Sequence, residues 1–372
     1  MNTDHKASRQ WATRQPDERF TSLIEMRDVA AKRKHESRQQ IINTKQLRFE
    51  TTESDGIVAF VSGEKAGGKF VKAPRVELTN YAFGQVANRI KCPAEFMGRL
   101  PGKLAVANLN ECAEHSKAEK IQLLTRENGT KELRAATSEK YGRIWDADIL
   151  THMVEQYGDG ITGRFRVPGE FGKAVTVTRA NTTLYMSDRD MFVFLCDEQN
   201  RVELPNRRNG EKGSLARGFY FYNSEVGAAT FGVSTFYFDY VCKNRIIWGQ
   251  EEVQQVKMRH SKFAPERFVQ DVLPGLTMFT EGSSMGIVTA IENARKITFE
   301  TPEIVSEVLQ QKFPKKVADK IAFMHMLEEE KPIENMYELT NAMTAYARTV
   351  PFQDVRVSIE AEAGKILKRF AA

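Results

Sequence analysis

The chain has 372 residues, 41% hydrophobic and 28% charged, with 54 Lys+Arg against 49 Asp+Glu for a formal net charge of +5. This balance excludes a disordered or fibrous chain, and the length suits two domains or one large domain with helical additions. Four cysteines stand far apart without a Cys-x-x-Cys pair, which argues against a zinc ribbon or a secreted disulfide framework and for a reducing, cytoplasmic setting. The polar N-terminus has no apolar signal region, and no run approaches the roughly 18 apolar residues of a membrane span, so no membrane partner is expected.

In chain order, residues 19–42 read as one amphipathic helix. Leu23, Met26, Ala30 and Ile41 fall on its apolar side, and Lys32, Arg33, Lys34 and Arg38 form a basic stretch. Residues 56–61 and 69–78 predict a β-hairpin around a glycine-rich loop. Residues 79–92 predict a Thr-capped helix, Pro93 opens a second short one, and Pro101-Gly102 stops it before a further helical stretch. Strands are predicted at 120–128 and 130–138 around Asn128-Gly129, then a helix at 146–158 closed by glycine. Strand runs follow in GRFRV, AVTVTRANT, LYMSDRDMFVFLCDE, GFYFYNSE and TFYFDYV, with a long loop at 205–213. From about residue 262 the pattern is helical. The expected fold is α+β: a central, mostly antiparallel sheet with N-terminal helices and a helical C-terminal third. The expected division is a basic N-terminal segment (1–50), an α+β core (51–260) and a helical region (261–372).

Familiar chemical motifs fail on inspection. Gly63–Lys69 fits G-x-x-x-x-G-K, but Phe70 stands where the Mg²⁺-binding hydroxyl belongs, and Pro74 marks an extended continuation instead of a helix, so a hairpin loop without nucleotide is expected. The six histidines have no metal-ligand spacing, and no Gly-x-Ser-x-Gly elbow exists. Asp146 and Asp148 read as helix-start residues, and Ser138 and Tyr141 as anchors between a strand and the following helix. Cys242 reads as a small buried hydrophobe. Neither cofactor nor catalysis is expected.

The most informative constellation is aromatic and basic. Arg217, Phe219 and Phe221 share one strand face, with Tyr220 and Tyr222 on the other. Phe236, Phe238 and Tyr240 precede Lys243 and Arg245. Strands aromatic on both faces suit a core covered on both sides. The alternative is a stacking face for unpaired bases with nearby cations on phosphates. That alternative names Arg207, Arg208, Lys212, Arg217, Tyr220, Tyr222, Lys243 and Arg245 as nucleic-acid contacts, with Arg164 and Arg166 as a candidate wall.

Residues 133–150, LRAATSEKYGRIWDADIL, resemble a phage- and plasmid-encoded family of unknown function through Leu133, Arg134, Ser138, Tyr141 and Asp148. Asn223-Ser224-Glu225 followed by Gly227, the Cys-x-Asn segment at 242–244 and NAMTAYAR at 341–348 extend the resemblance over roughly residues 78–350. Arg245 departs from a glycine common in that family. The resemblance implies a setting in replication or recombination. The expected function is non-catalytic binding of single-stranded DNA, for annealing or protection. The competing expectation is a factor that acts on a host or phage protein without touching nucleic acid. A homo-oligomer is compatible with either.

Overall fold

Two strand patterns give two sheets in the computed structural model, which describes residues 14–52, 56–61, 74–168, 176–204, 213–239, 244–247, 256–268, 270 and 285–371. The aromatic runs form an eight-stranded antiparallel sheet. Its path is β1 (Glu18–Arg19), β9 (Leu184–Met186), β10 (Met191–Leu204), β11 (Gly213–Asn223), β12 (Phe231–Asp239) and β13 (Asn244–Ile247). Beside this path β8 (Phe165–Arg166) pairs with β10, and β14 (Val256–Met258) with β12. The second sheet has six strands: β2 (Ser37–Asn43), β6 (Lys120–Asn128), β7 (Thr130–Ser138), β5 (Val76–Leu78), β4 (Ile57–Val61) and β3 (Leu47–Thr51). Its β5–β7 pair is parallel and the others antiparallel. The fold is α+β, with the helical C-terminal third that the sequence predicts.

Each face of the eight-stranded sheet is covered. On one, Phe219, Phe221, Val193 and Leu195 pack against Leu23, Met26 and Ala30 of α1 (Leu23–His35) and Ile149, Leu150 and Met153 of α5 (Asp146–Tyr157). On the other, Phe194, Tyr220 and Phe236 pack with Val357 and Ala361 of α11 (Gln353–Lys368). A fully buried phenylalanine contributes about 1.5–3 kcal/mol, so this double cover makes the aromatic strands the core of the molecule. Gly232 lets the strands close up: a Cβ there would meet the Tyr222 ring at 2.4 Å.

The six-stranded sheet is covered on part of one face by α2 (Asn80–Arg89), α3 (Ala94–Met97) and α4 (Gly102–His115), through Phe83, Val86, Met97 and Leu109. Thr79 caps α2 by accepting the Ala82 N–H at 3.2 Å. The Asn110 side chain closes the outer edge of β3: it accepts the Phe49 N–H (2.9 Å) and donates to the Phe49 carbonyl (3.0 Å). The predicted turn at Asn128-Gly129 is present, with φ +75° at Gly129. After a short helix α6 (Ala264–Arg267) come α7 (Met285–Lys296), α8 (Pro302–Gln310), α9 (Lys315–Glu329), α10 (Met336–Arg348) and α11, all within the stretch that the sequence pattern marks as helical.

Three expectations change. The helix expected over 19–42 starts at Leu23, where Ser22 accepts the Glu25 N–H, and ends at His35. Between Ala30 and Ile41 its core-facing stripe meets only the polar Arg33, Lys34 and Ser37, so pairing of 37–43 with β6 wins, and Ile41 is 55% exposed on that strand. Residues 176–182 form no strand, because Asn181 accepts the Thr178 N–H at 2.7 Å and turns the chain. Residues 18–51 are no separate segment either: they supply β1 to one sheet and β2 and β3 to the other.

Candidate nucleic-acid interface

The aromatic strands do not present the surface that the sequence allowed. Tyr220 is 5% exposed, stacked on Phe194 with ring centroids 4.8 Å apart. Arg245 is completely buried. Its guanidinium lies 3.8 Å from the Phe194 ring centroid, and its Nε donates to Glu360 on α11 at 3.0 Å. Glu360 also accepts from Arg356 at 2.7 Å, so one carboxylate compensates two guanidinium groups. Neither Tyr220 nor Arg245 can reach a base or phosphate from there, because α11 covers them. Tyr222 is half-buried against Gly232, and Arg217 is half-buried, its pKa lowered by desolvation. Arg207, Arg208, Lys212 and Lys243 lie outside the described residues, as do Cys242 and Gly63–Lys69. The strands flanking Gly63–Lys69 pair antiparallel, Ala59 opposite Val76. Arg164 and Arg166 bind Asp197 (2.7 Å) and Glu198 of β10.

The Ser-x-x-Tyr and Asn-Ser-Glu segments meet at the junction of the sheets. A bulge in β7 makes Leu124 face Ala135 and Thr125 face Leu133, leaving Arg134 as the extra residue. Arg134 donates to Glu225 at 2.8 Å, and Glu225 also accepts the Asp146 N–H at 3.1 Å. Asn223 donates to the Asp146 carboxylate (2.7 Å) and the Ile144 carbonyl (2.9 Å). Ser138 accepts the Lys140 N–H, and the Tyr141 hydroxyl donates to the Ser224 carbonyl at 2.7 Å. Tyr141 stacks on His260 at 4.9 Å. Burial first, and the Glu225 charge second, hold the Asp146 carboxyl well above the usual range. Burial pushes His260 down to about 4 and Arg143 down to about 10. Arg143 lies against the Tyr141 ring and donates to Gln122 (3.1 Å) and Gln39 (3.4 Å). These groups bond mainly to each other and are buried or half-buried, so they join the sheets, with Ser138 and Tyr141 tying the end of β7 to the chain around Ser224.

The open feature is a groove of about 330 Å³ on the six-stranded sheet. Its floor is Leu47, Ala59, Val76, Leu123 and Leu133, which continue the core under α2–α4. Side chains from all six strands line it, including both outer strands, so the sheet curls around it. Arg38 and Gln40 rise from β2, Thr125 from β6 and Lys131 from β7, while Phe60, between Ala59 and Val61 on β4, directs its ring to the opposite face. Among the described residues no acidic residue lines it. Glu127 stands opposite Lys131 in the ladder, outside the lining. The β7 bulge matters here too: Arg134 serves the junction while Leu133 and Lys131 stay on the groove side.

Sequence reasoning passed over this site because it placed Arg38 on a helix. The available signal was period two: Arg38, Gln40 and Ile42 alternate with Gln39 and Ile41. Among the described residues no group of His, Cys, Asp and Glu is arranged to hold a metal ion, and no helix is long and apolar enough to cross a membrane. No protein-family model, curated protein or solved structure matches the chain.

Proposed function

We propose that the protein binds single-stranded nucleic acid without catalysis, single-stranded DNA in replication or recombination, and that the strand crosses the groove of the six-stranded sheet. The observation that supports this reading is the groove's composition among the described residues: an apolar floor, two cations and no carboxylate. An unstacked base finds an apolar wall there, while Gln40 and Thr125 offer donors and acceptors that suit any base edge. Arg38 and Lys131 stand two strands apart, roughly 10 Å by the usual strand spacing, so they contact different phosphates of one strand. An interface of this kind annealing or protecting DNA needs no reacting group.

The test is fluorescence anisotropy of a labelled oligothymidine over a salt series. Wild-type affinity falls steeply with salt. Changing Arg38 and Lys131 together to Ala flattens the slope of log affinity against log salt by about 0.7 for each phosphate that is no longer neutralised. Stability should hold, since Arg38 is exposed and Lys131 half-buried. Folded protein that binds no oligonucleotide at low salt, or a double variant with the wild-type slope, refutes the assignment.

A further inference from the structure

We propose that Cys92 and Cys112 form a redox-responsive pair, which a small-molecule disulfide links into one disulfide bond and a small thiol releases. The two stand about twenty residues apart, a spacing that no Cys-x-x-Cys motif announces, and the fold brings them together. Helix α2 ends in a left-handed turn. Lys91 takes φ +58° and its N–H donates to the Asn88 carbonyl at 3.2 Å, while the Cys92 N–H donates to the Ala87 carbonyl at 2.8 Å. This turn carries Cys92 into the core that α2 shares with α4, where it is 4% exposed. Cys112, in the last turn of α4, packs on the same core and stays half-buried. Both are free thiols, and the Cys92 thiol donates a hydrogen bond to the Cys112 sulfur.

Packing alone accounts for one of them: the position after such a turn is commonly apolar, and a buried cysteine is a small hydrophobe. It does not account for a second sulfur in contact, borne by a residue that is partly exposed. Burial, and after it the bond to Cys112, pushes the Cys92 thiol up to about 12, so Cys92 waits as a thiol and does not react first. Cys112 therefore opens the exchange. Its thiolate attacks one sulfur of the small disulfide, and the first small thiolate leaves. The Cys92 sulfur then attacks Cys112 in the mixed disulfide, the second small thiolate leaves, and that thiolate takes up the Cys92 proton. The protein gives up two electrons and two protons, and the reagent's disulfide becomes two thiols. The new bond ties the end of α2 to the end of α4, across α3.

Peptide mapping without reductant, after the native full chain is treated with oxidised glutathione, tests this. The peptides that carry Cys92 and Cys112 should be recovered joined, with no glutathione on either, and dithiothreitol should separate them. Closing a loop of about twenty residues restricts the unfolded chain, so the linked protein should melt several degrees higher, and reduction should reverse the rise. Cys112→Ser is a nearly isosteric change at a half-buried site and should fold as the wild type does. In that variant Cys92 should stay a free thiol under the same treatment, and the rise in melting should be lost. The proposal is overturned by a Cys92 that remains free in the oxidised wild type, by mixed disulfides with glutathione that never close, or by a Cys92 that reacts as fast in Cys112→Ser as in the wild type.

Discussion

The eight-stranded sheet turns its aromatic residues inward on both faces, whereas among the described residues helices cover only part of one face of the six-stranded sheet. In the first, Tyr220, Phe194 and Phe236 are roofed by α11, and even Arg245 is enclosed. In the second, helices α2–α4 cover part of the sheet, and Leu47, Leu123 and Leu133, themselves buried, continue that core to the floor of a groove. Aromatic density thus marks the place where the most area is removed from water. The proposed nucleic-acid site is marked by something weaker: polar and basic side chains alternating along strands above an apolar floor.

The comparison breaks most sharply at Glu360. Glu360→Gln leaves Arg245 and Arg356 buried without their shared carboxylate, and it should cost about 3–5 kcal/mol in urea unfolding. The folded fraction should bind oligonucleotide as before. If stability barely changes and binding is lost, the aromatic sheet is the interface after all.

The junction between the sheets should respond to acid through His260. Its folded pKa is depressed from the ordinary 6.5 to about 4, so between those values the unfolded chain takes up a proton that the folded one refuses. Stability is therefore lost as pH falls from about 6.5 to about 4, by at most about 3 kcal/mol and less in practice because the ring is partly exposed. Unfolding of wild type and His260→Phe at pH 7 and pH 4 measures it: the variant keeps the Tyr141 stack and should lose this share of the pH dependence. Equal pH dependence in both proteins would remove the histidine from the account.

A finer comparison sets Gln40 against Tyr220. Gln40→Ala should weaken oligonucleotide binding severalfold with little change in salt slope, since it removes a contact to a base edge and no charge. Tyr220→Phe should leave affinity unchanged, because that ring is covered by helix. The opposite pattern in the same anisotropy experiment would move the site from the six-stranded sheet to the eight-stranded one.

Much of the architecture was legible because its causes are local. Thr79 before a periodic apolar run, Asn128-Gly129 between alternating strands, and the C-terminal helical stretches each carry their signal within a few residues. The sequence also made Ser138 and Tyr141 readable as anchors, since a hydroxyl beside a turn and an amphipathic ring have few other uses at such a corner. The β2 strand was not legible. Its residues 37–43 follow a helix without a proline or glycine to separate them, and only pairing with β6, some eighty residues away, makes the extended form better.

By itself the sequence determined the α+β class, the order of most elements and the absence of familiar catalytic motifs, because propensity, capping and periodicity act over one or two turns of chain. The fate of each side chain was decided by the tertiary structure. Tyr220 and Arg245 became core because α11, more than a hundred residues later, lies over them. Arg38, Gln40 and Lys131 came to one groove because β2, β6 and β7 are neighbours in a curled sheet. Burial is the sum of distant contacts, and no window of the sequence contains that sum.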